Sequence, residues 1–361
     1  GRAHLDFARR LRDLGARFSL PAWTNTVPVS LIQADPRADQ DPAFLDEARA
    51  LAQTYEDMGA RPVWTCAPYL IPDGPVFGDQ IVVGESNAVA YYNAAVGART
   101  NKYGDFLDIA CGLARRAPEA GLHLDANRRA EILFDLRDLP PEILRRDDAP
   151  HLIGAMIGRR AGARVPALLG LPAETDQDAL KAIAAAGASS GAVTLFHAIG
   201  VTPEAPNLEA AFGGSEPAET IGVSPEDLEA ARRRLCSAAP GPVAMVALGT
   251  PHFSFTEFAR LAALMDGRRV HPDVRLYVST SRFTAALVEA EGWAEGLRAA
   301  GAEILVDTCT YFSPAVRGAK GRVMTNSAKW AYYAPGMLPV EVVFGGLAAC
   351  VEAAATGEAR P

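Results

Sequence analysis

The residues best suited to chemistry crowd into one stretch, GESNAVAYYNAAVGARTNKYGDFLD at 84–108. Glu85 and Lys102 can move protons there. Ser86, Asn87, Arg99 and Asn101 are short or charged donors of the kind that orients a small polyfunctional ligand. The residues between them are mostly Ala, Val and Gly, which let backbones approach closely. Cys66 in TCAPYL and Cys111 in DIACGL bracket the stretch, and His123 follows in GLHLD. Ligand-type and proton-transfer groups are thus packed into about 60 residues.

Further candidates lie outside it. Of the five cysteines, Cys236 on an Arg-rich helix and Cys350 in an Ala-rich one read as small core residues. Cys66, Cys111 and Cys309 stand beside Thr, Pro, Asp or Gly at element ends, where a side chain can face a cleft. No CxxC is present, so the metal signal competes with the ordinary burial of free Cys. Three thiolates would suit an iron–sulfur site with one coordination position left open. His197 in LFHAIG ends an apolar run, as a core imidazole or a ligand. His252 in TPHFS follows turn residues, as His123 does, and is a better cleft candidate, whereas His4, His151 and His271 read as surface residues. In TNSAKWAYYAPG, residues 325–336, Asn326, Ser327 and Lys329 form either a helix cap packed by aromatics or a clamp for a carboxylate or hydroxyl.

These groups need elements to hold them. Helices are predicted over Arg2–Gly15, Pro42–Met58 with Asp41 as cap, Ser86–Val96, Asp105–Arg115 and Asp125–Phe134, and strands over Ala16–Leu20 and Pro62–Thr65. Pro140, Pro141 and Pro150 with Asp147 and Asp148 read as a linker. Downstream, VPALLGL, GAVTLFHAIG, PVAMVALGTPHF, RLYVSTS and AEILVDTCTY read as strands. Helices at Asp176–Ala186, Asn207–Phe212, Ser224–Cys236, Thr256–Met265, Thr284–Ala299 and Ala348–Ala355 alternate with them. This alternation predicts an α/β fold of mostly parallel sheets in three units, 1–145, 146–240 and 241–361. In such sheets ligands sit at the carboxyl ends of strands, where Cys66, His197, His252 and Cys309 fall.

Composition narrows the classes. With 361 residues, 49% hydrophobic and 22% charged, the chain has ample core and is not a disordered sequence. Its net charge of −8 and lack of a long Lys/Arg tract argue against nucleic acid and anionic membrane. No apolar run reaches the roughly 18 residues of a membrane span. Five scattered cysteines and no secretory leader point to a reducing cytoplasm. No glycine-rich loop has nucleotide-binding spacing.

The strings CAPYL, GESNAVAYYNAAVGARTNKYGDFLDI, GLH, LFHAIGVTPEAP, GTPHFS, VDTC and TNSAKWAYYAPG, running from about residue 60 to 346, closely resemble the large catalytic part of aconitase X. The resemblance implies linked α/β domains of the aconitase superfamily around an iron site. That site is an iron–sulfur cluster (2Fe-2S or 4Fe-4S) or mononuclear iron, with the ligand roles falling on Cys66, Cys111 and Cys309. It implies a hydro-lyase acting on a small-molecule substrate. It further implies a small swivelling subunit or domain that carries a serine base and is not among these residues. Bacterial members dehydrate cis-3-hydroxy-L-proline and archaeal members a phosphorylated mevalonate; the Ala/Arg-rich composition favours the first. In this reading Glu85, His123 and Lys102 serve catalysis, with Glu85 or His123 protonating the departing hydroxyl. Ser86, Asn87, Arg99, Asn101, His197, His252, Asn326, Ser327 and Lys329 contact substrate, and Glu85 or Asp105 accepts from its ring nitrogen. A noncatalytic iron–sulfur regulatory protein is the reading from another class.

Overall fold

The computed structural model describes residues 2–33, 42–104, 106–312, 316 and 320–360. The expected roles of Asp41 and Asp105 fall outside them. The chain opens with helices Arg2–Asp13 and Pro42–Asp57, which bury Leu5, Ala8, Ala48 and Ala52. The strands expected at 16–20 and 62–65 do not form; a single bridge between Trp23 and Arg61 stands in their place. The 16–20 run is largely exposed, and Trp64, buried with Val63 and Thr65, sits at φ 41° and breaks the extended path of 62–65. Helix Ser86–Tyr91 follows, with the Glu85 carboxylate accepting from the Asn87 N–H at its start. It widens into a π-helical turn, Tyr92–Val96, ended by Gly97 at φ 74°. A side chain at Gly97 would also meet the Phe77 ring. Helix Leu107–Ala114 is shorter than its predicted range.

Two parallel sheets form the rest of the scaffold. The first runs His197–Ala198, Pro166–Leu169, Ile132–Asp135, Glu219–Gly222 across its width. Ile132–Asp135 lies within the predicted Asp125–Phe134 helix, which is instead a 3-10 turn at Asp125–Asn127 leading into a strand. The expected linker carries helices, Pro141–Leu144 and Ala149–Ala161, and His151 packs edge-on against Phe344 rather than facing solvent. Helix Gln177–Ser190 lies along Ala149–Ala161.

The second sheet is ordered Val340–Phe344, Gly321–Thr325, Met245–Phe253, Arg275–Thr280, Ala302–Val306. Its strands are buried on both faces, which is why they read as continuous apolar runs. Met245, Ala247, Tyr277, Val323 and Val342 face the core shared with the first sheet. Val246, Leu248, Leu276, Val278 and Val343 face the helices Phe255–Met265 and Leu347–Thr356. The predicted Thr284–Ala299 helix is two, Arg282–Ala290 and Trp293–Ala299, because Gly292 turns the chain at φ 75°. Among the described residues, no helix is long and apolar enough to cross a membrane.

Candidate metal and substrate site

The site gathers where strand ends of the second sheet meet the loop after Arg61. His252 lies near the end of Met245–Phe253, and Cys309 lies just past the end of Ala302–Val306, after Asp307 and Thr308. Cys66 comes from the loop before the 3-10 turn Pro68–Leu70. Ligand atoms of Cys66, His252 and Cys309 lie within 4.8 Å of one another, and all three residues are buried. The Cys309 thiol donates to Cys66 Sγ across 3.7 Å, and the His252 backbone N–H donates to the same sulfur at 3.3 Å. Burial pushes the Cys66 thiol up. The Cys309 hydrogen bond and the charges of His252 and Lys329 override it, bringing Cys66 down to about 6. Cys309 moves the other way, because it holds the shared proton and is itself buried. The pair is thus arranged so that Cys66 gives up its proton more readily than Cys309.

The His252 ring is fixed at both nitrogens. Its Nε2–H donates to the Thr308 carbonyl at 2.9 Å, so Nδ1 meets the Thr65 hydroxyl at 2.9 Å. Beneath it, buried Lys181 donates to Glu257, to Asp178 at 3.3 Å and to the His252 carbonyl at 3.5 Å. A donor set of thiolates with an imidazole beside them suits a soft or borderline transition metal rather than Mg²⁺ or Ca²⁺. Among the described residues, the buried hydroxyls of Thr308, next to Cys309 in the chain, and of Thr250 have no partner. Unspent hydroxyls and two sulfurs 3.7 Å apart fit a metal group at this position.

Against the sulfurs lies a buried ion pair. Lys329 Nζ donates to Glu85 Oε1 at 2.6 Å. Asn87 Nδ2 donates to the same oxygen at 2.6 Å and to the Cys66 carbonyl at 3.0 Å, and Tyr69 donates to Asn87 Oδ1 at 2.8 Å. Asn25 completes the set, donating to Glu85 Oε2 at 3.2 Å. Burial alone would raise the Glu85 carboxyl, but Lys329, Asn87 and Asn25 bring it down to about 2. Burial would likewise lower the Lys329 pKa, and Glu85 more than offsets it, so that the ammonium is held well above its ordinary value. Glu85 is thus an acceptor at neutral pH, which corrects its reading as the acid that protonates a leaving hydroxyl.

Other expected residues sit elsewhere. Cys111, expected as the third ligand, is not in the sulfur–imidazole group; it lies on Leu107–Ala114, its thiol raised by burial and by Asp108. His123 is held between Gln80 Oε1 and the Tyr103 hydroxyl, both at 2.6 Å, and burial with nearby Arg128 lowers its pKa below the ordinary imidazole value. Lys102 is exposed. Arg99 pairs with Asp125 and, at 3.9 Å, with Glu204, and Asn101 braces the 120–122 turn through Ala120 O and Leu122 N. His197 donates to the Arg128 carbonyl at 2.6 Å inside the core. Ser327 caps helix Ala328–Met337 and donates to the Thr250 carbonyl. Ser86 and Asn326 are half-buried. The sequence reading missed Asn25, Tyr69 and Lys181. Tyr69 stood in the CAPYL string; Asn25 and Lys181 carry no local signal.

The chain matches family models for the first, second and third domains of aconitase X at residues 1–126, 130–233 and 243–356. It is 49% identical over 99% of its length to a cis-3-hydroxy-L-proline dehydratase of Pseudomonas aeruginosa, covering 61% of that protein. It is 31% identical over 97% of its length to a phosphomevalonate dehydratase large subunit of Methanosarcina mazei, covering 83% of that subunit. The crystal structure of Thermococcus kodakaraensis aconitase X in its holo-form superposes at a TM-score of 0.85 with 29% identity. The match covers 98% of this chain and 86% of that one. The chain spans about six tenths of the length of the curated hydroxyproline dehydratases it matches.

Proposed function

The chain belongs to the aconitase X family, and we propose that it is the large catalytic part of an iron-dependent hydro-lyase. Its substrate in this reading is a small 3-hydroxy acid, cis-3-hydroxy-L-proline, which loses water to give Δ1-pyrroline-2-carboxylate. The observation that carries the reading is the meeting of Cys66, His252 and Cys309 beside the buried Glu85–Lys329 pair. Cys66 and Cys309 would hold an iron–sulfur or mononuclear iron group, which supplies a Lewis acid for the departing hydroxyl.

The chain's own residues bind and orient. Glu85, held anionic, accepts from the protonated ring nitrogen, and Lys329 balances its charge so that it can remain buried. Asn87 keeps that carboxylate in register with the Cys66 backbone. The stacked Tyr69 and Tyr91 rings, 3.9 Å apart, help exclude water behind Asn87. We assign the base for the α-proton to a serine on a swivelling domain or small subunit. The large-subunit name of the Methanosarcina relative supports a two-part enzyme.

Phosphomevalonate is the second reading, favoured by that same relative. A phosphate calls for several guanidinium or ammonium groups at one point. Here Lys329 is spent on Glu85 and Arg99 on Asp125. The test supplies the complementing domain and iron anaerobically and offers both substrates. Turnover of hydroxyproline supports the assignment; turnover of phosphomevalonate alone overturns it.

A further inference from the structure

Asp307 opens the DTC of the VDTC string, and the reaction above gives it no task. It is fully buried, at 0% exposure, and its backbone sits at φ 73°. A residue with a β carbon is crowded in that region, and Asp and Asn tolerate it better than most. The surroundings over-determine it. Arg282 donates Nε to Oδ1 at 2.6 Å and Nη2 to Oδ2 at 2.9 Å, a bidentate pair. The Leu31 N–H donates to Oδ2 at 2.9 Å, and the Val27 N–H to the Asp307 carbonyl at 3.0 Å. The next residue, Thr308, offers its carbonyl to His252, and the one after is Cys309.

The segment that grips Asp307 also reaches the other half of the site. Asn25 donates to Glu85. Farther along, Gln33 donates to the Ile304 carbonyl at 3.0 Å and accepts from the Val306 N–H at 3.1 Å, so its side-chain amide caps the edge of the strand leading to Asp307. Residues 25–33 therefore run from the Glu85 carboxylate to the Cys309 loop.

We propose that Asp307, clamped by Arg282, is a positioning residue that aims the Cys309 thiol at Cys66 and, through residues 25–31, keys that geometry to Glu85. The inference rests on the reading of Cys66 and Cys309 as metal ligands, and its test includes an arm independent of iron. Phenylarsine oxide bridges two thiols only when they are close. Metal-free unaltered protein is expected to take up one equivalent of it, and Cys66→Ala to lose that uptake. Asp307→Asn keeps the shape and the backbone tolerance but loses the charged pair; Arg282→Lys keeps the charge but loses the fork. Both are expected to bind the arsenical and iron about tenfold or more weakly, the range seen when groups behind metal ligands are changed. Thermal unfolding of the metal-free variants separates this from misfolding, and Arg282→Lys decides the matter if Asp307→Asn does not fold. Lowered thermal stability with arsenical and iron affinity unchanged would overturn the proposal. Arsenical uptake by an unaltered protein that takes no iron would sink the iron reading and still decide the role of Asp307.

Discussion

Burial opposes the charge on both Glu85 and Lys329, and each is held charged chiefly by the other. Removing one partner of such a pair leaves an uncompensated buried charge and costs about 3–5 kcal/mol. Lys329→Met is therefore expected to lower the unfolding temperature sharply, and adding Glu85→Gln to recover part of the loss; a thermal melt of the two variants beside the unaltered protein checks this. The pair also sets an acid limit. Glu85 titrates near 2 in the folded chain against an ordinary 4.5, so its contribution is complete above about 4.5 and is lost as pH falls towards 2. A shift of that size corresponds to at most roughly 3 kcal/mol. Melts between about pH 6.5 and about pH 2.5, roughly two units either side of the ordinary 4.5, should show a steeper fall for the unaltered protein than for Glu85→Gln. The cysteines divide in the same way. Cys66→Ala and Cys309→Ala are expected to abolish iron binding, and Cys236→Ala and Cys350→Ala to retain it. Iron content after anaerobic reconstitution reads the difference.

The elements place these residues by close packing. Helices Ala149–Ala161 and Gln177–Ser190 touch at small residues, and the site helix Ser86–Tyr91 lies on the second of them. A β carbon on Gly154 would come within 2.6 Å of the Ile183 carbonyl and 2.7 Å of Ala186 Cβ. Gly154→Ala gains about 1 kcal/mol of helix propensity and costs about 1–3 kcal/mol or more in overpacking, so the clash wins. The expected result is a lower denaturation midpoint, with iron affinity weakened less than in Cys66→Ala. Legibility differed by element for a physical reason. Runs buried on both faces, such as Met245–Leu248 and Leu276–Val278, announced their strands. Ile132–Asp135 did not, because Asn127, Arg128 and Arg129 before it mimic a helical polar face while Arg128 is in fact a buried hub. Its guanidinium binds Glu204, Asn93 and the Leu122 and Ala98 carbonyls.

At the scale of the molecule, the α/β class, the parallel sheets and the family were readable, since long strings such as GESNAVAYYN stand in the sequence and alternating strands and helices follow them. The meeting of Cys66 with Cys309 was readable as a hypothesis from their places at element ends. What local sequence hides is partnership across distance. Asn25 and Glu85 are 60 residues apart, and Lys329 and Glu85 are 244 apart. For the same reason Arg99 looked free for substrate although Asp125 engages it.

The Cys66–Cys309 centre is proposed to serve the dehydration of hydroxyproline. The most direct measurement is the rate of Δ1-pyrroline-2-carboxylate formation from cis-3-hydroxy-L-proline by anaerobically iron-loaded, complemented protein, compared with its Cys66→Ala and Cys309→Ala variants. The account expects turnover that follows iron content and disappears in both variants. Undiminished turnover in either variant would contradict it.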